Sequence, residues 1–326
     1  MFRNKKILIT GGTGLIGRQI AKLLYDAGAI ITTVSLEPNG LPNISHICAD
    51  LTDSKFCCDI VSDKDYIFHL AGLKGSPVIT HSRASSFFVP ILQMNTNILE
   101  ACRIASIKGI VYTSSIGAYS YKQILKESDA WQGNPMDFWP GWAKRIGEFQ
   151  IESYKLEYGN NNFAIVRLTN IYGPGDKFDA ETSMFIPSLM AKIKRGDNPV
   201  LIHTNGNEVR DFLYSEDVAS GIIQAMQYGL GKGIINLGGT EYHTIKEVIE
   251  TMAEIIPFNY KFSDKPASYP IRIMDISKAQ ELLGYKPSVG LKEGLKRTWE
   301  WFSTCSPEKA SDFDSSVSDK ELRRCG

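Results

Sequence analysis

The sequence predicts an α/β protein: a doubly wound parallel sheet with a smaller, interleaved C-terminal subdomain. Three observations predict it. Short apolar runs alternate with helical patterns through the first half of the chain. Three glycines, Gly11, Gly14 and Gly17, lie between the first apolar run and the first helical pattern. After Gly173-Pro174-Gly175 the alternation loses its regularity. The chain thus divides into residues 1–175, residues 176–302 with some later segments returning to the first unit, and a tail at 303–326.

The first apolar run, Ile7–Ile9, reads as a strand, and the stretch from Arg18 to Leu24 has helical spacing. Strand, glycine turn and helix form the Rossmann arrangement that grips the diphosphate of a dinucleotide. Gly11 permits the tight turn. Gly14 lets the backbone around Leu15 and Ile16 approach phosphate oxygens, and Gly17 lets the helix pack close to the strand. The helix N-terminus adds a partial positive charge. Further strands are expected at Ile30–Val34, Tyr66–Leu70, Gly109–Thr113 and Ala164–Leu168, with helices at 15–27, 87–106 and 142–158. The second part carries helical patterns at 184–195, 215–228, 244–255, 277–283 and 291–302. The segment 303–326 is rich in Ser, Asp, Lys and Glu and reads as a mobile tail.

Composition excludes several classes. The 36 basic residues balance the 36 acidic ones, so neither nucleic acid nor an anionic membrane is an expected partner. No apolar run reaches the roughly 20 residues needed to span a bilayer. The first residues do not form a secretion signal, so a cytoplasmic location is expected. Cys48, Cys57, Cys58, Cys102, Cys305 and Cys325 contain no C-x-x-C pair. They read as reduced thiols, and no metal site is expected.

Ser35 and Glu37 follow the second strand, where an acidic side chain would hold the adenosine ribose. No Lys or Arg occurs from Ser35 to Asp53 to meet a 2′-phosphate, which favours NAD over NADP. Glu37 reads equally as a ribose ligand or as a solvated loop residue. Asp50-Leu51 is placed to contact adenine or to form an ordinary turn. Leu70-Ala71-Gly72 ends a strand, and Gly72 would let the backbone approach the cofactor. His69 is expected in the sheet interior, without a catalytic role.

Further along come Thr113-Ser114-Ser115 with Tyr119, Lys144 within Gly141–Glu148, Arg167–Pro174 and Arg210–Ala219. In this order they resemble the extended short-chain dehydrogenase/reductase family of NAD-dependent nucleotide-sugar epimerases, dehydratases and ketoreductases. The stretch Phe178–Pro187 is most similar to the GDP-fucose synthase-like branch. The resemblance implies cofactor contacts from Thr113 and Lys144, and catalysis by Ser115 and Lys144. It implies contacts to a nucleotide-diphosphate sugar from Ser115, Asn170, Arg210 and Arg272. For the two arginines, a surface salt bridge is the other reading. The resemblance also implies a homodimer formed through the helices at 87–106 and 142–158. Ile91, Met94, Ile98 and Ile146 on those helices serve either the interface or the monomer core.

The family places a tyrosine four residues before the lysine, one turn away on the same helix face. Here that position is Pro140, and a proline has no proton to exchange. Gly117 and Met184 fall where the fucose-synthase branch has a cysteine and a histidine. Epimerisation at C3 and C5 is therefore not expected. Three solutions remain open for the proton. Lys144 or a water on Ser115 carries it; Tyr119, Tyr121, Asp137 or Tyr172 reaches in; or the site binds without turnover. The expected function is NAD-dependent oxidation or reduction at C4 of a GDP-linked sugar. A 4-epimerase and a catalytically silent binding protein are the alternatives.

Overall fold

The computed structural model describes residues 1–304. The expected tail lies outside the described residues from residue 305 onward, whereas Ser303 and Thr304 complete the last helix. In chain order the strands are β1 (Lys6–Thr10), β2 (Ile30–Ser35), β3 (Ser45–Cys48), β4 (Tyr66–His69), β5 (Gly109–Ser115), β6 (Ile124–Leu125) and β7 (Phe163–Leu168). They continue with β8 (Asn170–Tyr172), β9 (Val200–Ile202), β10 (Val209–Tyr214), β11 (Ile234–Leu237), β12 (Tyr242–Thr244), β13 (Tyr260–Phe262) and β14 (Ile271–Met274). The helices are α1 (Leu15–Asp26), α2 (Ser54–Val61), α3 (Pro77–Ser82), α4 (Ala84–Ile104), α5 (Phe138–Tyr158) and α6 (Phe185–Arg195). They continue with α7 (Ser215–Tyr228), α8 (Ile245–Ile255), α9 (Ser277–Leu283) and α10 (Leu291–Thr304).

Seven strands form the parallel sheet in the order β3-β2-β1-β4-β5-β7-β11. The strand order reverses between β1 and β4, and this is the crevice where doubly wound sheets bind ligands. The central strands are apolar throughout because helices cover both sheet faces. Ile7, Leu8, Ile9, Ile67, Phe68 and Val111 are fully buried. Helices α2, α4 and α5 pack together, as do α1, α7 and α9.

The smaller unit has its own core, including Ile186, Met190, Val248 and Leu295. Its sheet runs β12-β10-β14-β6, with β8 also pairing with β10. Interleaving is literal: β6 comes from the first half of the chain, while α7 and β11 return to the large sheet. Two helices start earlier than expected. Helix α4 begins at Ala84 and carries Pro90 inside it, and α5 begins at Phe138 and not at residue 142. Pro140 therefore lies in the first turn of α5, where its missing N–H has no intrahelical partner to lose. Ile91, Met94 and Ile98 are buried within this one chain, which assigns them to the core.

Candidate active site

The glycine loop has the shape a diphosphate needs. Gly11 adopts φ +67°, and a Cβ there would press on the Ala71 backbone at 3.0 Å. A Cβ on Gly17 would meet Gly12 Cα at 2.7 Å, so only glycine lets α1 sit this close to the loop. Gly14 is the extended N-cap of α1 and makes no side-chain cap bond. The first-turn N–H groups, those of Leu15 and Ile16 among them, have no intrahelical acceptors. No acidic side chain lies in that turn to compete for them. The cradle fits the diphosphate of a dinucleotide.

Beside it, Thr13 Oγ1 lies 2.9 Å from both Ser35 Oγ and Glu37 Oε2. A carboxylate only accepts, so the Thr13 hydroxyl donates to Glu37. Glu37 is thus turned in against the glycine loop, which settles its orientation against the solvated reading. Asp50 is exposed, and its Oδ1 accepts from Thr52 N at 2.9 Å, an Asx turn. Leu51 is buried, with its carbonyl accepting from Asn97 Nδ2 at 3.0 Å. Leu70 and Ala71 line the crevice after β4, where Ala71 N donates to Thr10 Oγ1 at 3.2 Å.

Lys144 projects from α5 towards the same crevice. Its Nζ donates to the Thr113 carbonyl at 2.8 Å and would sit 3.6 Å from a Cβ on Gly72. Burial pulls the ammonium down to about 8, and the Glu148 carboxylate partly opposes that. The Thr113 side chain has another task, donating to the His69 carbonyl at 2.9 Å. A buried polar chain holds this region. Thr10 Oγ1 accepts from Ala71 N, so its own proton goes to His69 Nδ1 at 2.7 Å. His69 Nε2 then donates to Asn95 Oδ1 at 3.0 Å, and Asn95 Nδ2 donates to Tyr112 Oη at 3.0 Å. Tyr112 Oη donates to the Lys144 carbonyl at 2.9 Å. His69 is fully buried, and desolvation holds its imidazole neutral by pulling its pKa down to about 3. It is the core histidine that the sequence indicates.

Ser115 ends β5, and its Oγ accepts from Gly117 N at 3.0 Å. Asp137, the residue before α5, crosses over Gly117. A Cβ on Gly117 would collide with the Asp137 carboxyl, meeting Cγ at 2.6 Å. Asp137 N donates to the Gly117 carbonyl at 3.1 Å, which fixes the crossing. Burial raises the Asp137 pKa, and the Arg272 guanidinium partly offsets the rise. Of the tyrosines that could replace the missing one, Tyr119 and Tyr172 are engaged elsewhere, whereas Tyr121 lies near Arg210. Tyr119 is buried beneath the Arg167 guanidinium and donates to Asn236 Oδ1 at 2.8 Å. Tyr172 is buried in the smaller core, 3.4 Å from the Leu291 carbonyl. Tyr121 stacks on Tyr269, ring centres 4.7 Å apart.

The two arginines stand on the neighbouring strands β10 and β14. Parallel pairing of β10 and β14 sets Arg210 directly beside Arg272. Arg272 Nη2 donates to Asn170 Oδ1 at 2.9 Å, while its buried Nε has no partner. Among the described residues Arg210 Nη1 reaches only the Val209 carbonyl, at 2.8 Å. Burial together with the neighbouring Arg272 lowers the Arg210 pKa to about 10. Two half-buried cations side by side, without a carboxylate in ion-pair distance among the described residues, form a place for an anion. This arrangement disfavours the salt-bridge reading of both residues. Asn170 also donates to the Asp211 carbonyl at 2.9 Å, so it braces β8 against β10.

Thr13 was missed in the sequence because its role arises only where β2 ends beside the glycine loop. Arg18 was missed too; its Nη2 donates to the Thr13 carbonyl at 2.9 Å, and a Cβ on Gly175 would collide with it. Among the described residues no group of His, Cys, Asp and Glu could hold a metal ion, and no helix is long and apolar enough to cross a membrane.

A profile described as the NAD dependent epimerase/dehydratase family matches residues 7–238. A rice protein named "Probable GDP-L-fucose synthase 1" is 29% identical over 314 residues, covering 91% of this chain and 92% of its own. A Methanocaldococcus jannaschii protein named "Putative UDP-glucose 4-epimerase" is 31% identical over 305 residues, covering 90% and 97%. Among solved structures, a GDP-6-OMe-4-keto-L-xylo-heptose reductase from C. jejuni superposes with a TM-score of 0.82 at 25% identity. It covers 93% of this chain and 99% of its own.

Proposed function

The chain belongs to the NAD-dependent epimerase/dehydratase family. From that premise we propose that it oxidises or reduces C4 of a GDP-linked sugar, as a sugar 4-dehydrogenase or ketoreductase. The observation that carries this reading is the Arg210–Arg272 pair, whose Arg272 lies near Asp137 and so near the loop that follows Ser115. The arginines would hold the diphosphate of the sugar nucleotide, with Asn170 steadying Arg272. The glycine loop and the Thr13–Glu37 pair would hold NAD, and the Glu37 carboxylate would repel a 2′-phosphate. Bound NAD supplies the hydride acceptor or donor. Lys144, fixed by the Thr113 carbonyl, would hold the nicotinamide ribose, and the Ser115 hydroxyl would bind the sugar oxygen at C4. The leaning to guanine rests on similarity to the rice fucose-synthase relative.

A 4-epimerase is the second reading, favoured by the 31% identity to the M. jannaschii relative. It uses the same transfer twice on opposite faces of C4. Epimerisation at C3 and C5 finds no support, since Gly117 offers no side chain and Met184, the residue before α6, no titratable group. We further propose a homodimer through α4 and α5, whose outer faces expose Val89, Phe149 and Leu156. A monomeric mass in solution contradicts it.

The test is incubation of the protein and NAD with a panel of GDP-, UDP- and dTDP-sugars, and of NADH with their 4-keto forms. The expected result is growth or loss of the reduced nicotinamide band with a GDP-sugar pair. Binding of NAD without turnover of any sugar overturns the enzyme reading. Inversion at C4 without net cofactor reduction favours the epimerase.

A further inference from the structure

Position 140 leaves this site without the group that usually exchanges the substrate proton, and the structure supplies another one. We propose that Asp137 is the acid–base residue of the active site, delivering its carboxyl through the space that a side chain at position 117 would fill. This rests on the reading of the site as a sugar C4 oxidoreductase.

Four observations carry it. Asp137 lies three residues before Pro140 and seven before Lys144, so it continues the face of α5 that carries Lys144. Its carboxyl occupies the space above Gly117, two residues beyond Ser115. Among the described residues neither oxygen is used in a hydrogen bond, although Asp137 begins α5 where a carboxylate would ordinarily cap the helix. It faces Arg272, which also touches Asn170 and stands beside Arg210. A half-buried carboxyl that declines its cap and turns towards the anion site is poised for a ligand. Its charged surroundings are Arg272 on β14, Arg210 beyond it, and Lys144 two turns along its own helix. Burial outweighs Arg272, so the group stays protonated to a higher pH than a solvated aspartate. A carboxyl that keeps its proton to higher pH can donate as well as accept.

In the oxidising direction the proton of the C4 hydroxyl passes to an Asp137 oxygen. The C–H bond at C4 breaks, and its hydrogen leaves with the electron pair for the nicotinamide ring. C4 becomes a carbonyl, the sugar is oxidised by two electrons and the cofactor is reduced. Reduction returns the proton from the carboxylic acid to the oxygen.

The experiment compares wild type, Asp137→Asn and Asp137→Glu in single-turnover hydride transfer across pH. Sugar-nucleotide and NAD affinities are measured by calorimetry, and the Asp137 carboxyl is titrated by 13C NMR. Expected for Asp137→Asn are a loss of about 10²–10⁴-fold in rate, affinities within about threefold of wild type, and disappearance of the low-pH limb of oxidation. Asp137→Glu should recover part of the rate. The 13C titration should show a carboxyl above the ordinary value of about 3.9 that moves when GDP-sugar binds. An unchanged rate and pH limb in Asp137→Asn overturns the proposal, as does a loss of sugar affinity equal to the loss of rate. If wild type turns over no sugar, the oxidoreductase reading fails separately. A carboxyl whose titration ignores bound sugar then overturns the role of Asp137 as well.

Discussion

The Asp137 carboxyl and the Gly117 Cα share one small space, and the glycine is what lets them. A methyl group at 117 would collide with the carboxyl, and backbone holds both sides of the contact through the Asp137 N–H bond to the Gly117 carbonyl. Gly117→Ala should therefore displace the carboxyl and reproduce the slow turnover of Asp137→Asn. Single-turnover kinetics with affinities measured in parallel check this. Wild-type rates in Gly117→Ala would mean that the carboxyl has no part in the proton transfer.

Arg210 and Arg272 stand side by side, and Arg272 lowers the Arg210 pKa. Arg210→Ala should weaken sugar-nucleotide binding by about 10–100-fold, the loss of one charge-assisted pair of hydrogen bonds. NAD affinity should not move. Removing one of two adjacent cations should leave the free protein melting no lower than wild type, whereas losing a salt bridge would lower it. Calorimetry and thermal melts separate the two.

Glu37 lies at the ribose end of the cofactor cradle, paired with Thr13. Glu37→Arg should move the preference from NAD towards NADP by about tenfold or more, read as the ratio of dissociation constants. Each 1.4 kcal/mol of altered pairing is a tenfold change in that ratio.

His69 gives the fold a pH dependence of predictable sign. Its folded pKa, about 3, lies below the ordinary 6.5, so between these values the unfolded chain binds more protons. Stability should fall as pH drops through that window, by up to about 1.4 kcal/mol per unit. From pH 7.5 to pH 5.0 this one group accounts for about 2 kcal/mol. His69→Gln should lose that part of the slope in urea titrations at the two pH values, while costing about 1–3 kcal/mol at pH 7.5 through the broken Thr10–Asn95 chain.

Much of this was legible from residues alone, wherever the signal was local. Gly11, Gly14 and Gly17 encode a turn within a few residues, and the helix of Lys144 follows from its own periodicity. Asn170, Arg210 and Arg272 were identified singly through the resemblance, but their meeting depends on the register of β10 against β14 and β8, which no local pattern states. The start of α4 escaped because Pro90 argues for a helix beginning near it. The helix starts at Ala84 instead, and Phe88 in its first turns packs on Trp139 of α5. Asp137 was one of four candidates for the proton. The crossing of the loop at Gly117 by the start of α5 brings it to the site, whereas Tyr119 and Tyr172 are held in the two cores.

Hydride exchange at C4 above an NAD cradle is tested most directly by isotopic transfer. GDP-sugar carrying deuterium only at C4 is mixed with the enzyme and NAD, and the cofactor and sugar are recovered for mass spectrometry. Deuterated NADH together with a 4-keto sugar free of the label is the predicted result. Deuterium retained at C4, with NAD bound but unlabelled, would contradict that exchange.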